Sequence, residues 1–185
     1  KFEIFKRKIS ELLIGLNLIE VNTYHLINSE INKRMNFNIE NVKLENSISE
    51  EYNSLRSWMT PCLMDILEKN KNNEYPQNIF EIGTIFEKNL DENDNLSVVL
   101  CDKDANFTKI KQVLDYLFDK LELKYSIEEI EHDSFISGRT GRVIVNDKKI
   151  GYIGEINPKV LDNFNLEVPV SAMELNLTEL FEFVE

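Results

Sequence analysis

The sequence has little of what most active sites are built from. Its 185 residues include two histidines, His25 and His132, and two cysteines, Cys62 and Cys101. The histidines are far apart, with no cysteine or carboxylate beside them at a metal-ligand spacing, so each reads as a strand or loop residue. The cysteines are isolated in apolar surroundings, the pattern of reduced, buried thiols in an intracellular, cytoplasmic protein. Arginine is scarce, with five residues at 7, 34, 56, 139 and 142. That scarcity and a net charge of −12 argue against a large phosphate-binding surface, which needs clustered cations to displace counterions. Gly83, Gly138, Gly141, Gly151 and Gly154 form neither of the glycine-rich loops that cradle nucleotide phosphates. No apolar run approaches the roughly 18 residues of a membrane span, and the opening KFEIFKRKIS lacks the apolar centre of a signal peptide. The chain begins at Lys1 and not at Met, as expected of a piece of a longer polypeptide.

What is present is the patterning of a folded domain. The 42% hydrophobic and 29% charged residues suit a chain with one main core, large enough to need neither metal nor disulfide. Phe2, Phe5, Ile9, Leu12, Leu13 and Leu16 recur at helical spacing, and Asn17 should close that helix in a left-handed conformation. A strand over 18–27 and a short one over 41–46 should follow. Thr60 before Pro61 predicts a helix start capped by the threonine, with Met59 and Met64 as its hydrophobic staple, and KNKNNEYP (69–76) should end it. NIFEIGTIFEK reads as a buried strand, DENDN as an exposed acidic loop and LSVVLC as the returning strand. Phe107, Ile110, Leu114, Leu117 and Leu121 predict another helix, and 124–131 a strand. RVIVNDKKIGYIGEI predicts a hairpin with Asn146 and Asp147 at its tip. Asn157 and Pro158 open a short helix, and a buried strand over 170–177 ends the chain. Hairpins mixed with amphipathic helices predict an α+β fold with a largely antiparallel sheet.

A search for chemistry finds none. Adjacent carboxylates such as Glu128 with Glu129, or Asp91 with Glu92, point to opposite faces of a strand and belong to a solvated surface. Ser134, Ser137 and Thr140 near His132 lack a nucleophile elbow.

Three segments carry a family resemblance. LRSWMTPCLMDILEKNKNNEYPQNIFEIGTIF (55–86), FTKIKQVLDYLF from Phe107, and HDSFISGRTGRVIVNDKKIGYIGEINPKVLDNF (132–164) resemble, in order, the class II synthetase-like core of the archaeal and eukaryotic phenylalanyl-tRNA synthetase β-subunit family. The resemblance implies a single synthetase-like domain over 1–185, a fragment of a longer β subunit. It also implies a non-catalytic role beside a catalytic α subunit, in a heterotetramer that attaches phenylalanine to its tRNA. In active class II enzymes the strand matching FEIGTIF runs into a Phe-Arg-x-Glu motif whose arginine holds the ATP α-phosphate. Phe86 is followed here by Glu87, Lys88 and Asn89, so a carboxylate stands where the cation belongs and would repel phosphate. The glycines and arginine of the third motif are missing from AMELNLTEL.

This implies no catalytic, cofactor or metal residue in the chain. ATP, magnesium and tRNA are then matters for the holoenzyme. The first helix and strand fit the superfamily's subunit-pairing motif, with Tyr24 near the place of its proline. Phe2, Phe5, Ile9, Leu12, Leu16 and Tyr24 are the implied partner interface. The rival readings are a free-standing ATP-dependent ligase with altered motifs, a lone RNA-binding module, and a protein-interaction module unrelated to tRNA charging.

Overall fold

A computed structural model describes residues 1–47 and 49–184. It begins with helix α1 (Phe2–Gly15), short strands β1 (Ile19–Glu20) and β2 (Leu26–Ile27), helix α2 (Ile31–Arg34), strand β3 (Ser54–Leu55) and helix α3 (Thr60–Asn70). The hairpin β4 (Gln77–Phe86) and β5 (Glu92–Cys101), helix α4 (Phe107–Lys120) and strands β6 (Ser126–Glu129), β7 (Phe135–Val145) and β8 (Lys148–Ile156) follow. Helix α5 (Pro158–Asn163), strand β9 (Val170–Asn176) and helix α6 (Leu177–Phe181) complete the chain.

Seven strands form one sheet in the order β1-β4-β5-β9-β8-β7-β6, antiparallel throughout except where β1 runs parallel to β4. Side-chain alternation divides the core between the two faces. Leu96, Val98 and Leu100 of β5 pack with Phe5, Ile9 and Leu13 of α1, Leu114 of α4 and Leu180 of α6. Val99 and Cys101 pack on the other side with Leu63, Met64 and Leu67 of α3 and Val160 of α5. The expected α+β architecture with a largely antiparallel sheet is the one observed.

Local chemistry explains the element ends. Asn17, Asn146 and Asp147 all have positive φ. The first closes α1, and the other two form the tight tip of the β7–β8 hairpin. Asn106, Asn157 and Asn176 each accept a backbone N–H at the start of α4, α5 and α6.

Four expectations are corrected. The strand over 18–27 is two separate pieces: after Val21 N–H bonds Phe80 O at 2.9 Å, Thr23 turns to the Glu81 carboxylate. The chain thereby leaves the sheet edge to pair Leu26 and Ile27 with Leu55 and Ser54. The strand over 41–46 reduces to a bridge between Lys43 and Ser54. Glu92 to Asn95, expected in a loop, continue the β4–β5 ladder, because Asp94 finds partners in Thr84 at 2.8 Å and Lys6 at 2.7 Å. Thr60 lies inside α3 and Met59 is the N-cap, since a distant carboxylate satisfies that helix end.

A buried ion pair underlies the first of these departures. Arg56 and Glu81 are fully buried, with Arg56 Nη1 2.7 Å from Glu81 Oε1. The guanidinium also donates to Thr84 O at 2.8 Å and Thr23 Oγ1 at 2.7 Å. Its backbone joins His25 O (2.8 Å) to Phe86 N–H (2.9 Å). Gly83 leaves room for it, as a Cβ there would lie 2.3 Å from Arg56 Nη2. Removing one partner from such a pair strands a buried charge, so Arg56→Met should destabilise the fold by about 3–5 kcal/mol in denaturant unfolding. Adding Glu81→Met should recover much of the loss, and a double variant as unstable as the summed single variants would contradict this account.

Candidate functional site

The middle of the sheet on the α3 side carries the chain's second buried carboxylate. Glu174 projects from β9 and is fully engaged. Its oxygens accept from Met59 N–H at 3.2 Å, Thr60 N–H at 2.9 Å, Thr60 Oγ1 at 2.7 Å and Asn95 Nδ2 at 2.8 Å. Tyr152 Oη reaches it at 3.4 Å. Met59 and Thr60 supply the orphan N–H groups of α3, so Glu174 caps that helix from across the sheet. Burial pushes its carboxyl above the usual range, while the donors from Asn95 and Thr60 pull against that shift. Burial also pushes the Tyr152 hydroxyl well up. Glu174 is buried, and both of its oxygens are taken by these donors.

The flank of this centre is filled with rings. His132 stacks on Phe37 with centroids 4.3 Å apart and meets Trp58, Phe135 and Tyr152 at 5–6 Å. Its Nδ1 accepts the Ser134 N–H at 3.2 Å. Burial, then the charge of Arg142, lowers its pKa from 6.5, against a smaller opposing effect of Asp133. Among the described residues, no three His, Cys, Asp or Glu side chains gather where they would hold a metal ion. Both cysteines are free and buried, and burial pushes each thiol up to about 12.

Open apolar surface lies elsewhere. Tyr24 is 75% and Tyr52 42% exposed, their rings edge to face at 5.9 Å. They border a groove of about 690 Å³ that Leu26 and Leu44 also line. Ile19, on edge strand β1, is 63% exposed.

The sequence-predicted residues divide between these regions. Phe86 ends β4 with its ring 5.7 Å from His25. Glu87 and Asn89 lie in the exposed turn that joins β4 to β5, where Glu87 accepts from Asn93 at 2.8 Å and Asn89 bonds Asp91 at 2.6 Å. Of the six residues expected at a partner interface, Phe5 and Ile9 are buried in the chain's own core, and Phe2, Leu12 and Leu16 pack against it. Tyr24 is the member that faces solvent. The helix side expected to meet a partner therefore covers the sheet, because the sheet must bury its apolar face first. Of the large apolar side chains in α1 and β1, Ile4, Ile14 and Ile19 are left outside. Glu81 and Glu174 do carry a signal in the sequence: each carboxylate stands between two apolar residues of a strand, Phe80 and Ile82 for the one and Met173 and Leu175 for the other.

The family model of the phenylalanyl-tRNA synthetase β chain CLM domain matches residues 1–177. The chain belongs to that family. Among relatives, the phenylalanine–tRNA ligase β subunit of Pyrococcus abyssi is 42% identical over 98% of this chain. That of Methanopyrus kandleri is 34% identical over 95%. The chain spans about a third of the length of these relatives, 34% and 32%. In structure, the pyrrolysyl-tRNA synthetase of Desulfitobacterium hafniense superposes with a TM-score of 0.82 at 15% identity, covering 98% of this chain and 68% of that one. A second structure from the same organism gives 0.79 at 17%, covering 96% and 66%. At these identities the likeness is one of fold: the chain shares the α+β sheet architecture of those synthetases.

Two measurements test the closed centre. Glu174→Gln puts an amide where several donors converge and leaves at least one unsatisfied, so unfolding free energy should fall by about 1–3 kcal/mol. An unchanged value would mean that Glu174 does not cap α3. For His132, folding lowers the pKa, so the unfolded chain binds more protons just below 6.5 and stability should decline as pH falls through that value. In His132→Phe, which keeps a ring in the stack, the part of the pH 7 to 5 slope owed to this residue should vanish. A parallel slope in the variant would assign it to other groups.

Proposed function

We propose that the chain is the non-catalytic, synthetase-like module of a phenylalanine–tRNA ligase β subunit. It supports a catalytic α subunit, in a cytoplasmic heterotetramer, as that subunit attaches phenylalanine to its tRNA with ATP. Membership of the β-chain family supports the assignment, and the closed sheet centre carries the non-catalytic part of it. Arg56 donates through Nε and Nη1 to Thr84, Thr23 and Glu81, and Glu174 accepts from the start of α3 and from Asn95. A residue that must grip and release a substrate cannot also hold the fold shut.

ATP and magnesium belong on this reading to the catalytic subunit, and this module binds no cofactor of its own. The β4–β5 turn supports that view, since Glu87 presents a carboxylate tied to Asn93 where a phosphate would need a cation. The acidic balance of the chain likewise favours tRNA contact through other parts of the holoenzyme. The catalytic subunit docks over the groove around Tyr24 and Tyr52, beside the free edge of β1.

The test combines binding with chemistry. The purified chain should show no phenylalanine-dependent ATP–pyrophosphate exchange, and it should co-purify with a catalytic α subunit. Tyr24→Glu with Tyr52→Glu should weaken co-purification while leaving thermal stability nearly unchanged, because both rings are exposed. Exchange by the chain alone would overturn the non-catalytic role. Normal binding by the folded double variant would move the docking surface elsewhere.

A further inference from the structure

On the side away from β1 the sheet ends in β6, whose outer edge has no strand beside it. Its register against β7 runs unbroken from Ser126 with Ile144 to Glu129 with Gly141, and Ile130 N–H continues it by bonding Thr140 O at 3.3 Å. Antiparallel ladder bonds alternate along a strand. Ser126, Glu128 and Ile130 therefore exchange theirs with β7, and Ile127 and Glu129 turn their N–H and C=O groups outward. No turn or loop bond takes those groups among the described residues. Free edges are often blunted by a proline or a bulge, and β6 has neither. Ile127 leans towards β7 over Gly141, where a Cβ would stand 2.2 Å from Ile127 Cγ2, and joins the core on the α4 side. Its side chain leaves the edge clear.

The charge along this edge is of one sign. From Glu122 to Asp133 the chain carries Glu122, Glu128, Glu129, Glu131 and Asp133 against a single cation, Lys124, and all five carboxylates are exposed. Among the described residues none of the five forms an ion pair, although Arg142 sits across the ladder from Glu128. Elsewhere on the surface carboxylates are matched, as Asp115 is by Lys111 at 2.8 Å and Glu155 by Arg139 at 2.7 Å. Two β6 edges brought together would set Glu128 and Glu129 against glutamates of the other copy, which like-charge repulsion opposes. The same field draws in an extended segment that carries lysine or arginine.

We propose that the β6 edge takes up a short cationic segment of another polypeptide as a further strand of the sheet. Ile127 and Glu129 bond its backbone. An apolar side chain beside Ile127 extends the α4-side face, and a lysine or arginine beside Glu128 meets the carboxylates. Main-chain bonds supply the docking, and charge selects the partner. The site lies at the opposite edge of the sheet from β1 and stands apart from the docking of a catalytic subunit around Tyr24 and Tyr52.

A peptide that alternates lysine with valine is the probe, and amide hydrogen exchange across the chain is the reading. At saturating peptide the amides of Ile127 and Glu129, open in the free chain, should exchange more slowly by roughly tenfold or more. The same peptide N-methylated along its backbone keeps its charge but loses its donors, and it should bind far more weakly. A peptide alternating glutamate with valine should not bind. Glu128→Lys combined with Glu129→Lys should weaken the lysine peptide by roughly tenfold or more and admit the glutamate peptide. Both side chains are exposed, so thermal stability should hardly change, and the reversed preference cannot come from a misfolded variant. No saturable binding of the lysine peptide would overturn the proposal. So would equal binding of the N-methylated peptide, protection of amides away from β6 and not on it, or wild-type preference in the folded double variant.

Discussion

The buried pair of Arg56 with Glu81 is the constraint from which much of this fold follows. Two opposite charges out of water persist only when their remaining hydrogen-bonding capacity is met, and here meeting it recruits three separate stretches of chain. Thr23 is drawn off the sheet edge to bond both partners. The strand after it stops short and turns to pair with the strap before α3, and Gly83 stays bare so that the guanidinium has room. The sheet edge, the small β2–β3 pairing and the entry into α3 are thus one arrangement.

Glu174 repeats the device one step further along. It holds the first turn of α3 to the middle of the sheet, and between the two carboxylates the segment from Arg56 to Thr60 is fastened at both ends. That segment leads into α3 on one face of the sheet. The centre of the sheet is thereby tied to the chain around it through the bonds that Arg56, Glu81 and Glu174 hold.

Much of the architecture was legible in the sequence because it is local. The α1 and α4 periodicities, the Asn17 and Asn157 caps and the Asn146–Asp147 tip each depend on a few neighbouring residues, and each appears where expected. The misreadings share the opposite character. Nothing near Thr23 announces that it will serve Glu81, fifty-eight residues away, and nothing near Thr60 shows that Glu174 will cap its helix. The polar run Glu92–Asn95 looked like a loop because its partners, Thr84 and Lys6, come from other elements. For the partner surface, periodicity identified the apolar side of α1 correctly but could not say whether a sheet of the same chain would cover it.

The parallel pairing of β1 with β4 joins Ile19 to Ile79, whereas β4–β5 and β7–β8 are closed by short turns. Loop entropy makes the two hairpins quick to form and the β1 edge late. Only two residues of β1, Ile19 and Glu20, pair with β4, so little of the ladder has to break for this edge to open. It is also the part of the chain that leaves Ile14, Ile19 and Tyr24 in water. A binder that covers this edge stabilises the folded state by mass action and removes the easiest route to unfolding. On the reading proposed above, a copy without its partner would keep that route open, and the supply of partners would set how long the domain resists proteolysis.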